Sequence, residues 1–144
     1  PILIYDEKEK MIAAIHAGWK GAFKGIINRT LNFMIKKGCT PKNITAVIGP
    51  CISVKSYEVK KDFIKKLIKK DGKNKKFFKK IQNKDFFDLK KYVLSQLKAL
   101  NIKKIDIINK NTFNPKNNFF SARRSISRNE NDYGRNISVI MINS

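Results

Sequence analysis

An apolar run that stops at a histidine and breaks into glycines constrains this chain more than any other feature. Met11 to Ile15 is apolar, and His16-Ala17-Gly18-Trp19-Lys20-Gly21 follows it directly. Upstream, Pro1 to Tyr5 is a second apolar run, and Asp6 to Lys10 between them is a charged turn. Two short apolar runs around a polar turn predict a β-hairpin. Beyond the glycines, Phe23, Ile27, Leu31 and Met34 recur at helical spacing until Gly38, which predicts one amphipathic helix with a glycine stop. The N-terminal third therefore commits the chain to a sheet with a helix packed on it.

The remainder mixes the two periods. Ile44 to Ile48 reads as a buried strand ending at Gly49-Pro50, and about Lys60 to Lys70 as an amphipathic helix closed by Asp71-Gly72. Lys73 to Lys84 is basic and without a clear period. Asp88 is placed to cap a helix with Leu89, Val93, Leu97 and Leu100 inward. Ile105 to Ile108, Phe119 to Arg124 and Ile137 to Ile142 read as strands, with a loop over Asn114 to Asn118. This lacks the regular βαβ alternation of a doubly wound sheet. The expected class is α+β, a layered domain with a mixed sheet. No linker or repeat divides the 144 residues, so one domain over 1–144 is expected. Opening in a buried-looking strand, it reads as lacking an N-terminal part.

The net charge of +21 raises the question of a polyanionic partner. The excess is nearly all lysine: Lys60 to Lys80 carries eleven Lys against Asp62 and Asp71. Lysine doublets between the apolar pairs Phe63-Ile64 and Leu67-Ile68 are the pattern of a solvated helix face. Dedicated nucleic-acid modules add arginine, glycine and stacking aromatics, so nucleic acid is not the expected partner. Two cysteines, Cys39 and Cys51, make neither a disulfide framework nor a zinc ribbon. No apolar run approaches a membrane span, no stretch reads as a cleavable leader, and a cytoplasmic setting is expected.

Few residues carry chemistry. His16 is the only histidine, and a strand end breaking into glycines lets a ligand approach the backbone. A packed histidine beside a turn is the competing reading. Lys20 adds a positive charge there, and Trp19 is a packing residue or a stacking surface. Cys51, after the second buried strand, is a ligand, a nucleophile or a small buried hydrophobe; spacing does not decide. Arg123, Arg124 and Arg135 are three of the five arginines, and a guanidinium fork suits phosphate as well as surface carboxylates. There is no GxGxxG, Walker loop, HExxH or GxSxG.

Taken in order, the motifs His16 to Gly21, Ile48-Gly49-Pro50-Cys51-Ile52, Tyr57-Glu58-Val59, Phe119 to Arg124 and Gly134-Arg135 resemble those of the laccase-domain, or multicopper polyphenol oxidase-like, family. The likeness covers essentially the whole chain. It implies a purine nucleoside phosphorylase acting on adenosine, inosine and methylthioadenosine with phosphate, together with adenosine deaminase activity. It also implies a His/Cys/His site for zinc, with copper possible. His16 matches the last of those ligands as the metal-binding and catalytic residue. The other two would precede Pro1, so the chain is expected to be the C-terminal two-thirds of such a domain. Lys20, Cys51, Arg123, Arg124 and Arg135 are the candidates for substrate and phosphate. Two departures stand out: Asn111 occupies the place of a usual Cys before Thr112-Phe113, and a longer polar stretch follows Arg124. The rival expectations are a non-catalytic remnant and a basic nucleic-acid-binding module.

Overall fold

A computed structural model of the chain describes residues 1–143. The chain divides into two compact units. The first holds Pro1–Pro50, Val93–Asn109 and the chain from Ile137 onward; the second holds Cys51–Tyr92 and Lys110–Asn136.

The first unit is built on a four-stranded sheet. Strands β1 (Ile2–Asp6) and β2 (Met11–Ile15) form the expected antiparallel hairpin, with Ile2 opposite Ile15 and Asp6 opposite Met11. Strand β3 (Ile44–Ile48) lies antiparallel on the other side of β1. Strand β6 (Lys104–Ile107), one residue earlier than expected, runs parallel to β3. The order β2-β1-β3-β6 is thus a mixed sheet. Period-two alternation sends Ile2 and Ile4 of β1, and Ile44 and Ala46 of β3, into the core at 1% exposure or less.

Sequence periodicity anticipates one helix after the glycines, and the structure has two. Helix α1 (Trp19–Phe23) ends at Lys24, Gly25 takes the left-handed conformation at φ 81°, and helix α2 (Ile26–Lys36) follows. A left-handed residue cannot continue a right-handed helix, and glycine adopts it without steric penalty. Helix α2 buries Ile27, Leu31 and Met34 along one stripe. It ends as predicted at Gly38, where the Cys39 and Gly38 N–H groups donate to the Met34 and Ile35 carbonyls. That is a Schellman stop.

Asp6 is fully buried at the end of β1. Its carboxylate accepts the backbone N–H groups of Lys8 and Glu9, both at 2.9 Å, and of Thr40 at 3.1 Å. Burial pushes the carboxyl pKa up, but these bonds and one from Cys39 outweigh it, and the pKa falls below its ordinary 3.8. The folded state therefore favours the charged form. Its contribution is complete above about pH 4 and is lost as pH falls through the lower folded value. Asp6→Asn is expected to lower stability by about 2 kcal/mol at neutral pH and to flatten the acid limb of a urea-midpoint profile taken from pH 2 to 6. An unchanged limb would refute the assignment.

In the second unit, helix α3 (Lys61–Lys70) is followed by a 3₁₀ turn over Gly72–Phe77. Strands β4 (Phe78–Ile81) and β5 (Lys84–Phe87) then pair with Ile81 opposite Lys84. Gln82 and Asn83 between them both have positive φ, 46° and 61°, the signature of a type I′ hairpin turn. The Tyr57-Glu58-Val59 segment adds to β5: Val59 N–H donates to the Asp85 carbonyl and Phe87 N–H to that of Tyr57. Phe87, at 0% exposure, centres an aromatic cluster with Tyr57, Phe63, Phe78 and Tyr92 at ring separations of 5.1–5.8 Å.

Helix α4 (Leu89–Ala99) starts where Asp88 caps it, accepting the Lys91 N–H at 3.0 Å, as the sequence anticipates. Leu89, Val93 and Leu97 are buried, and the division between units falls within this helix.

Two expected strands are absent. Ser121 accepts the Arg124 N–H and starts helix α5 (Ala122–Ser127), so Phe119 to Arg124 is a turn into a helix and not a strand. A serine cap followed by two helix-tolerant arginines outweighs the leading Phe pair. Ile137 to Ile142 forms no ladder among the described residues, and Ile137, Val139 and Met141 stand 69–88% exposed. The segment has strand composition but lacks a neighbour to take its backbone groups.

Candidate functional site

His16 is the residue after β2 and is exposed. The competing reading of a packed core histidine therefore fails. Gly18 starts α1, and a Cβ built there would sit 3.2 Å from the His16 Nε2. The glycine leaves the space into which that nitrogen looks. Gly18 has φ −60° and ψ 165°, open to any residue. Gly18→Ala thus tests crowding without backbone strain. The expected outcome is an unchanged stability, within about 0.5 kcal/mol, but a displaced His16 ring resonance in a nitrogen-edited NMR spectrum. A ring signal identical to the parent's would show the two do not touch.

The rest of the glycine motif contributes less than expected. Helix α1 has only five residues, too few to aim an appreciable macrodipole at an anion. Lys20 is exposed, with its ammonium 5.8 Å from the Trp19 ring centroid. A cavity of about 550 Å³ in this unit is lined by Tyr5, Lys10, Ile12 and the 140–143 segment, and none of the sequence-predicted site residues lines it.

The remaining predicted residues belong to the second unit. Cys51 is half-buried and joined through its backbone to the Asn111 loop: its N–H donates to the Lys110 carbonyl and its carbonyl accepts from Thr112. Burial pushes its thiol pKa up; Lys90 draws it down and Asp88 raises it. The thiol is protonated at neutral pH, the state of a packing residue and not of an activated nucleophile.

The three arginines are held differently. Arg124 donates to the Thr112 carbonyl at 3.0 Å, Phe113 at 3.1 Å and Phe119 at 2.6 Å, so its fork is occupied in tying loops together. Arg123 is exposed and stacks over Tyr57, guanidinium carbon to centroid 5.1 Å. Tyr57 is buried, which raises its phenol pKa, and the Arg123 charge and hydrogen bond lower it. Arg135 lies 4.0 Å over the Tyr133 ring, donates to the Tyr133 carbonyl and faces Asp132 at 4.0 Å. Arg124 has the most donors committed; Arg123 and Arg135 keep more for a ligand. The neighbouring Gly134 is required by packing, because a Cβ there would overlap the Phe120 ring.

Sequence reasoning marks Asn111 as a departure from the family pattern but does not give its role. Its side-chain oxygen accepts from Ser53 N–H at 3.0 Å and Phe113 N–H at 3.1 Å, and its amide donates to the Ser56 hydroxyl at 3.1 Å. A cysteine cannot make this set of bonds. The departure from the family pattern is therefore a structural commitment; only an Asn in a loop between polar residues hints at it.

The resemblance implies a zinc or copper centre, which needs three or four ligands. Among the described residues no three His, Cys, Asp or Glu side chains converge. His16 offers one exposed imidazole. The chain's described residues do not fit a complete metal site.

Comparison with known proteins agrees with the order of motifs. Residues 1–143 match the family model described as multi-copper polyphenol oxidoreductase laccase. A purine nucleoside phosphorylase of Rickettsia conorii is 38% identical over 139 residues, 95% of this chain and 57% of the relative. One of Haemophilus influenzae is 34% identical over 143 residues, 97% of this chain and 55% of that protein. The crystal structure of the Bacillus licheniformis hypothetical protein YfiH matches with TM-score 0.78 at 29% identity, covering 87% of this chain and 49% of that one. The chain thus spans about half the length of these relatives. With the family model matched over 1–143 and the mixed-sheet fold shared, the chain belongs to the multi-copper polyphenol oxidoreductase laccase family.

Proposed function

We propose that this chain contributes to a purine nucleoside phosphorylase, and that its two units are parts of one laccase-type domain. The observation that carries the reading is the exposed His16 imidazole, whose Nε2 faces the gap left by Gly18. The purine nucleoside phosphorylases at 34–38% identity support it. The reaction breaks the bond between C1′ of ribose and the purine nitrogen. A phosphate oxygen bonds to C1′, the electron pair of the broken bond leaves with the purine, and a proton completes the free base. His16 is the proposed catalytic residue, and an imidazole suits proton transfer near neutral pH. Lys20, beside it in the first unit, is the proposed cation for phosphate there; Arg123 and Arg135 are proposed anion-binding groups of the second unit. Arg124 is left to its carbonyls and Cys51 to packing. In the alternative, metal-bound reading, His16 would be a ligand to zinc or copper in place of a proton carrier.

Adenosine, inosine and methylthioadenosine are the proposed substrates. Adenosine deamination, water in and ammonia out, is a second proposed activity. No helix among the described residues is long and apolar enough to cross a membrane, and a cytoplasmic enzyme is the proposed setting. The test is chromatographic. Inosine should yield hypoxanthine and ribose 1-phosphate in proportion to added phosphate, and adenosine should yield inosine without phosphate. Purine release equal with and without phosphate would make the protein a hydrolase; no release would sink the reading.

A further inference from the structure

The second unit carries a lysine surface that the proposed reaction does not use. Lys61, Lys65 and Lys69 are exposed and recur every four residues on α3, so they form one stripe along the helix. The 3₁₀ turn packed on α3 adds exposed Lys73, and β4, packed on that turn, adds exposed Lys79 and Lys80. The α3 stripe and Lys73 are joined through the packing of the turn on α3; as consecutive strand residues, Lys79 and Lys80 point to opposite faces of β4, so one of the two extends the surface. Across Lys60 to Lys80 the only acids are Asp62 and Asp71. The Asp71 carboxylate is already committed to the Lys73 backbone N–H at 2.9 Å.

We propose, against the expectation from composition, that this surface docks the phosphate backbone of double-stranded nucleic acid without reading its sequence, because the fold lines Lys61, Lys65 and Lys69 along one exposed stripe. Like charges spaced every four residues repel one another, and a polyanion removes that repulsion. Helix α3 is ten residues long and spans about 15 Å, along which a duplex presents roughly nine phosphate charges. The lysines thus meet a partner of matching or greater charge density. A lipid surface fits less well, because the apolar side of α3 is already used: Leu67 is 1% exposed and the Phe63 ring packs on Phe78 and Phe87 at 6.1 and 5.1 Å. Phe63, Ile64 and Ile68 are at least part-buried, so this helix keeps no fully exposed apolar side chain to insert. The surface has lysines in place of arginine forks, so it lacks the bidentate chemistry that reads base edges. Backbone contact alone is the expected mode.

The experiment is fluorescence anisotropy with a labelled 20-base-pair duplex, titrated from 50 to 200 mM salt. About five phosphate contacts, from Lys61, Lys65, Lys69, Lys73 and one of the two β4 lysines, predict a slope of log K against log salt of about −4.5. The variant Lys61→Gln, Lys65→Gln, Lys69→Gln should lower the slope magnitude by about 3, with the circular dichroism spectrum unchanged. A control variant with the same charge loss in the first unit, Lys36→Gln, Lys42→Gln, Lys103→Gln, should keep the parent slope. Equal loss in both variants would reduce the effect to net charge and overturn the assignment. So would absence of binding at 100 mM salt. Tighter binding to phosphatidylserine vesicles than to duplex at equal anion concentration would replace nucleic acid with a membrane surface.

Discussion

Phe87→Ala is expected to destabilise the second unit by about 4 kcal/mol, the largest effect of any single truncation in its core. The ring is fully buried and touches four other aromatic rings: Tyr57, Phe63, Phe78 and Tyr92. Removing it deletes the transfer free energy of the side chain and leaves a cavity that four stiff rings cannot collapse to fill. At a urea dependence of about 2 kcal/mol per molar, the midpoint should fall by about 2 M. Phe120, 56% exposed, supplies the control, and its alanine variant should move by no more than about 0.5 kcal/mol. The effect reaches the candidate site because Tyr57 packs on Phe87 on one side and carries Arg123 on the other. A midpoint within 0.3 M of the parent would mean that the cluster is not the core of this unit.

How much of this was legible in the sequence depends on where each element's partner lies. The β1–β2 hairpin, the Gly38 stop and the Asp88 cap rest on local chemistry, and each stands where spacing put it. The β4–β5 hairpin is opaque because its turn is Gln82-Asn83 without glycine, and three of its eight strand residues are lysine. Only pairing with the Tyr57 segment and burial of Phe87 identify it. The Phe119 to Arg124 strand was misread because two phenylalanines outweighed a serine cap whose partner is a backbone N–H. Site residues divide similarly. Residue type singles out His16 and Arg123 as candidates, but does not show that Arg124 is spent on three carbonyls or that Asn111 ties two loops. Those roles depend on contacts many residues apart, which a period of two or 3.6 does not record.

His16→Ala is expected to lower kcat/KM for phosphate-dependent purine release by at least about 100-fold, the lower bound for losing a positioned acid or base. The same variant should leave the melt nearly unmoved. The side chain is exposed and has no hydrogen-bond partner among the described residues, so truncation removes little packing and orphans no polar group. That separation of activity from stability makes the test decisive. A packed structural histidine would give the reverse, a lowered midpoint with turnover falling in proportion to the folded fraction. Gly18→Ala supplies the graded companion: the imidazole is kept but crowded from 3.2 Å. Its rate should therefore fall between the parent and His16→Ala, by about tenfold if the ring is displaced by a few tenths of an ångström. Full turnover in His16→Ala would remove the imidazole from the reaction. Parent-like rates in both variants would leave the glycine-broken turn as a folding device alone, and the search for the catalytic group would move to the arginine unit.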